Sequence, residues 1–250
     1  MGTHASTDPG AGPIPFLRRF RWPIVLVALA LGVAVVAPYV YIHFVREEPA
    51  ERLSLDDVAT TTSGDRSGST TSAGSTGGGI DGTWKATDAS VVQYRVKEVL
   101  FGQDAEATGT ARGLSGTAEI TGSTVASVDV EVDMTTFESD ESRRDGQFEG
   151  RIMNTSEFPT ATFTLTDPID LGSVPVDGEE ITVDITGELT MHGVTNEVTF
   201  ELTAKLSGST FAANATIPIT FSDYDIDDPS GGPATVGADG ELELLLVFAR

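Results

Sequence analysis

Beyond residue 80 the hydrophobic and polar positions alternate with a period of two. In Ser127 to Met134 the side chains of Val128, Val130, Val132 and Met134 fall on one face, and Asp129, Glu131 and Asp133 on the other. That is the pattern of a strand wet on one side only. The same period runs through Ile181, Val183 and Ile185, through Val198, Phe200, Leu202 and Ala204, through alternate positions from Phe211 to Phe221, and through Leu242, Leu244, Leu246 and Phe248. Shorter pieces are Val92, Tyr94 and Val96, then Ala118 and Ile120, then Ala161, Phe163 and Leu165. The chain reads as all-β. About eight half-buried antiparallel strands with Gly-bearing turns either stack as a sandwich or close into a barrel, which removes the exposed edges. Periodicity alone leaves both open. One stretch reads as a short helix, Ser139 through Met153, with Ser139 or Asp140 as cap and Gly146 weakening its middle.

A different pattern precedes the strands. From Trp22 to Val45 there is no Lys, Arg, Asp or Glu, and at about 1.5 Å per residue this segment crosses a roughly 30 Å hydrocarbon core as one transmembrane helix. Trp22 at one end and Tyr39 and Tyr41 at the other suit the two interfaces. A cleaved signal peptide is the rival, but its only Ala-x-Ala, Ala28 to Ala30, falls mid-stretch. Arg18, Arg19 and Arg21 before the helix, against Arg46 followed by Glu47 and Glu48, place the N-terminus inside. Residues 1–21 are then a cytoplasmic tail and everything after 45 lies outside the cell membrane. Residues 46–79 read as a flexible, disordered linker, because Ala59 to Gly79 is almost wholly Ser, Thr and Gly and cannot bury enough apolar surface to order itself. The folded domain is 80–250.

Composition removes several functions. The chain has no Cys and 15 Lys and Arg against 38 Asp and Glu, for a net charge of −23. Disulfides, thiolate chemistry and cysteine metal sites are excluded, and so much negative charge repels the nucleic-acid backbone. The run Asp223, Asp225, Asp227 and Asp228 lacks the Gly and the Glu of an EF-hand loop, so it reads as a solvated acidic loop and no metal is assigned. His192 is the only histidine of the domain, placed in a turn. Neither it nor the carboxylates Glu98, Asp145 and Glu157 supply a nucleophile with its base or a sugar platform, so the protein is read as no enzyme. Arg144 with Asp145 is expected to pin the segment at the barrel end by a local ion pair or helix-end contact. The functional rival is Arg144 as a phosphate or headgroup anchor, which its planar fork suits.

Several of these residues together carry a resemblance. Gly82-Thr83-Trp84, Thr135 to Phe137 before Arg144-Asp145-Gly146, Glu157-Phe158-Pro159-Thr160-Ala161-Thr162-Phe163, and Gly187-Glu188-Leu189-Thr190-Met191-His192-Gly193-Val194-Thr195 stand in the order seen in the YceI-like family, which residues 80–250 resemble nearly throughout. The resemblance implies an eight-stranded antiparallel, lipocalin-like barrel that takes a long polyisoprenoid, a quinone tail or polyprenyl lipid, into its lumen. Val130, Val132, Met134, Phe163, Leu165 and Val183 become candidate lipid contacts, with no cofactor besides the lipid. Many members have a His after the first strand where this chain has Glu98, so Glu98 joins Arg144 as a candidate headgroup contact. The expected function is a membrane-tethered, extracytoplasmic carrier or sequestering protein. The alternative is a ligandless β-module for adhesion or protein interaction.

Overall fold

The computed structural model describes residues 48–61 and 79–250, with single positions between 26 and 40. The chain divides into units 1–46 and 47–250. In the first, Leu26, Val27, Val33 and Val36 are helical and exposed. Among the described residues no helix is long and apolar enough to cross a membrane. The expected cytoplasmic tail 1–21 and most of the expected membrane helix 22–45 lie outside the described residues.

The second unit begins with a short helix, α1 (Asp56–Thr61), and continues as one antiparallel sheet. Its strands are β1 (Gly82–Ala86), β2 (Val91–Leu100), β3 (Gln103–Ala111), β4 (Leu114–Thr121), β5 (Thr124–Asp133), β6 (Glu138–Ser139), β7 (Thr160–Leu165), β8 (Ile169–Asp170), β9 (Glu180–Met191), β10 (Val194–Ser207), β11 (Thr210–Thr220), β12 (Ala234–Val236) and β13 (Asp239–Ala249). Hydrogen bonding runs β1-β4-β5-β7-β9-β10-β11-β13, and β13 returns to β1. The ring of eight is therefore closed, and the barrel, not the sandwich, is the answer.

One corner of the barrel is bent. β13 pairs with β2 through Glu241 to Leu245 and with β1 through Phe248 and Ala249, so β1 and β2 are two pieces of one barrel strand. β3 and β4 match them as the neighbouring pair. The break is pinned at Val247: Thr87 N donates to its carbonyl at 2.8 Å, and Ser90 Oγ accepts from its N–H at 2.9 Å. The helix expected over 139–153 is divided into α2 (Ser142–Gln147) and a π-helical turn, Phe148–Ile152, lying across one barrel end.

The linker expected over 46–79 is not a free tether along its first part. Ala50, Glu51, Arg52 and Leu53 are hydrogen-bonded to the outer wall of the barrel. The chain then turns into α1, where Asp57 Oδ2 accepts from Ser54 N at 2.8 Å, one half of a capping box. Ser, Thr and Gly dominate only from Ala59 onward, whereas Glu47 to Val58 carries Arg52 and Leu53, which find partners on the barrel. Residues 62–78 lie outside the described residues.

Candidate functional site

Alternation sends every second side chain of the closed ring inward, so the eight strands share one interior. That interior is not completely filled. A cavity of about 160 Å³ extends from Val125, Ile169, Leu171 and Ile181 at one end of the strands to Met134, Phe137, Leu189 and Met191 at the other. Its wall is apolar: Thr162, the one hydroxyl residue along it, sits on β7 between the inward Ala161 and Phe163 and so presents its side chain outward, and Trp84 has its indole N–H already committed to the carbonyl of Ile80 at 2.9 Å. Trp84 also meets Phe211 edge-on at 4.7 Å and lies under the Arg250 guanidinium at 4.5 Å. It closes the wall there and offers a ligand only its apolar ring.

Five of the expected lipid contacts, Val130, Val132, Met134, Phe163 and Val183, line this cavity. Leu165 does not: the last residue of β7, it is buried in the core without reaching the space. Sequence reasoning did not pick out Ile185, Phe200, Leu202 and Phe211 as wall residues, although the same period had placed them inward. It missed Phe137 too, which lies between a 3-10 turn and β6, where no period marks it.

The shared motifs are packing devices around this wall. Phe163 packs edge-on against Phe200 at 5.5 Å, and a Cβ on Gly187 would lie 2.4 Å from its ring. Gly187 therefore leaves the space that the inward Phe occupies. His192 and Gly193 both have positive φ, the two-residue hairpin turn between β9 and β10. A Cβ at Gly193 would meet the Phe158 ring at 2.6 Å. His192, in the turn where it was expected, is half-buried, with Nδ1 3.0 Å from the Tyr224 carbonyl and its ring 4.8 Å from Phe158.

Glu98 and Arg144 are brought together at the barrel end covered by α2. Arg144 NH2 lies 3.8 Å from Glu98 Oε1, and Arg144 NH1 contacts Asp140 Oδ1. Arg144 and Asp145, expected to pin this segment by a local ion pair or helix-end contact, do so through other partners and not through each other. Adjacent residues on a helix do not face each other, and Asp145 instead accepts from Ser139 N at 2.9 Å and Ser139 Oγ at 2.6 Å. Tyr94 stacks on Phe148 at 5.2 Å and tilts against Phe137 at 5.7 Å. Burial pushes its phenol up to about 12, with Asp145 and Asp140 adding to the rise and Arg144 opposing it. Of this group only Phe137 touches the cavity, so the aromatic trio stands between the ion pair and the lumen.

The carboxylates Glu157 and Asp145 are held by local hydrogen bonds: Glu157 accepts from Asn154 Nδ2 at 2.7 Å and Asp145 is held by Ser139. In the acidic run, Asp228 lies below the usual carboxylate range through hydrogen bonds from Ser230. Among the described residues no group of three or more His, Asp or Glu is placed to hold a metal ion.

A protein-family model described as YceI-like domain matches residues 84–248. Protein YceI of Escherichia coli O157:H7 is 36% identical over 119 residues, 47% of this chain and 49% of the relative. Protein YceI of Salmonella arizonae is 38% identical over 114 residues, 45% of this chain and 44% of the relative. The chain thus spans about half the length of the curated relatives it matches. Among solved structures, a polyisoprenoid binding domain from Saccharophagus degradans implicated in plant cell wall breakdown superposes with a TM-score of 0.56 at 18% identity, covering 67% of this chain and 98% of that one. BcnA of Burkholderia cenocepacia superposes at 0.52 with 20% identity, covering 65% and 98%. At such identities the likeness shows a shared fold.

Proposed function

The chain belongs to the YceI-like family, and from that premise we propose that it is a membrane-tethered, extracytoplasmic protein holding a long isoprenoid lipid, of quinone or polyprenyl type, in its lumen for carriage or sequestration. The observation that carries this reading is the apolar cavity inside a closed barrel. A space walled by apolar side chains stays dry and selects by shape and apolarity. The polyisoprenoid binding named for the Saccharophagus degradans domain supports the ligand class. The apolar segment 22–45 supports the tether, and the arginines before it the outward orientation.

Magnitudes decide how such a ligand is held. Burying a chain gains about 0.8 kcal/mol per CH2 relative to water, but a bilayer shelters the same chain almost as well, so exchange with the membrane is near neutral and reversible. A cavity of about 160 Å³ is the size that holds a benzene-like group, or roughly one isoprene unit. A longer chain therefore enters only as wall side chains give way. Among the half-buried wall residues, Val125, Ile169, Leu171 and Ile181 stand at the end opposite the buried Met134, Phe137 and Met191, and there the wall has room to give.

Native mass spectrometry of the protein purified from its own host tests the reading. The expected result is a bound mass that extraction identifies as an isoprenoid. A ligand-free mass in freshly isolated protein leaves the interaction module instead.

A further inference from the structure

We infer that the outer wall of the barrel carries a peptide-binding site, and that its ligand is the chain's own segment 50–53, held in cis as a clasp. Val92 and Tyr94 pack toward the core, so Gln93 and Arg95 on β2 point outward, as does Glu243 between the lumen residues Leu242 and Leu244 of β13. Outward polar residues of a barrel are ordinarily wet. These are not: Gln93 is 1% exposed, Arg95 6% and Glu243 2%.

Buried polar groups need partners, and the wall supplies only part of them. Gln93 Nε2 donates to Glu243 Oε2 at 2.9 Å, Arg95 Nε to Glu243 Oε1 at 2.9 Å, and Arg95 NH1 to Glu106 Oε2 at 2.8 Å. The remaining capacity faces away from the barrel and meets main chain. Arg95 NH2 donates to the Ala50 carbonyl at 2.7 Å, Gln93 Nε2 to the Glu51 carbonyl at 3.1 Å, and Asn214 Nδ2 to the Leu53 carbonyl at 2.9 Å. Ala50 N donates to Thr108 Oγ1 at 3.0 Å and Leu53 N to Glu243 Oε2 at 3.4 Å. One side chain is read as well: Arg52 NH1 sits between Glu243 Oε1 at 2.6 Å and Glu241 Oε2 at 2.8 Å. The ligand class is thus an extended peptide with a basic residue, crossing β3, β2, β13 and β11.

The clasp changes what the preceding chain does. With 50–53 fixed, residues 62–78 join two points of one folded unit and add nothing to the reach of the N-terminal segment.

Limited trypsin digestion of the full chain in detergent tests this. Arg52 and Arg66 each follow an acidic residue, so their bonds are alike in an unstructured chain. The expected result is cleavage after Arg66 roughly tenfold faster or more than after Arg52, as for a segment that must open locally before it is cut. Ala50→Pro deletes the N–H bonded to Thr108 without touching the barrel, and is expected to lower that ratio roughly fivefold, the effect of one lost hydrogen bond, with barrel unfolding unchanged. Equal rates in the parent protein overturn the clasp, and so does an unaltered ratio in Ala50→Pro.

Discussion

Glu98 is an inward-facing residue of β2, in step with Val92, Tyr94 and Val96, buried and opposed by Arg144. Its carboxylate is part of the end of the barrel, not a solvated substitute for another residue. Glu98→Gln leaves Arg144 with Asp140 and Ser139, so the expected cost is about 1 to 2 kcal/mol, not the larger loss that follows a fully orphaned buried charge. The check is the urea midpoint at constant m-value, with bound lipid quantified alongside. A loss of lipid well beyond the loss of stability assigns Glu98 to the headgroup. The burial of Glu98 was legible, because the period that set Val96 inward continues to position 98. The partner of Arg144 was legible only in part, since pairing it with Asp140 needs the helix boundaries that cap chemistry alone left loose.

The hairpin of β9 and β10 shows how far a motif can be explained by the element it sits in. Gly187 gives up its side chain to the Phe163 ring, so Gly187→Ala forces that ring or the β7 backbone to shift. The expected loss is about 1 to 3 kcal/mol by overpacking, measured as a lowered midpoint of thermal unfolding with the barrel circular dichroism retained. β13 carries a second lesson. Only Leu242, Leu244, Leu246 and Phe248 were read as inward, yet Leu245 and Val247 are buried as well. The unbroken apolar run Leu244 to Phe248 is what a strand covered on both faces looks like. α1 also left a trace in the sequence, Ser54-Leu55-Asp56-Asp57, the spacing of a capping box. The Ser, Thr and Gly composition that follows it had absorbed the whole region into one linker.

For the whole molecule the decisive variable is whether the interior is core or lumen. Val132 is buried and lines the cavity, so Val132→Phe adds its ring to open space. Unfolding temperature is expected to stay close to that of the parent protein while bound isoprenoid falls. A cost of about 1 to 3 kcal/mol, the usual result of overpacking a filled core, accompanied by no lipid in the parent, removes the carrier reading. The eight strands were legible because each is amphipathic by itself, whereas closure was not, because it depends on which distant strands meet. Those strands are far apart indeed: the bonds that pin the bend join Ser90 to Val247, 157 positions along the chain. Such pairings fold slowly, and β13 comes last in chain order among the strands of this barrel. No closed barrel can therefore exist while the ribosome is still at work on β13. The corresponding hazard is kinetic, since the unpaired edges of β11 and β2 stay open to other chains until β13 arrives.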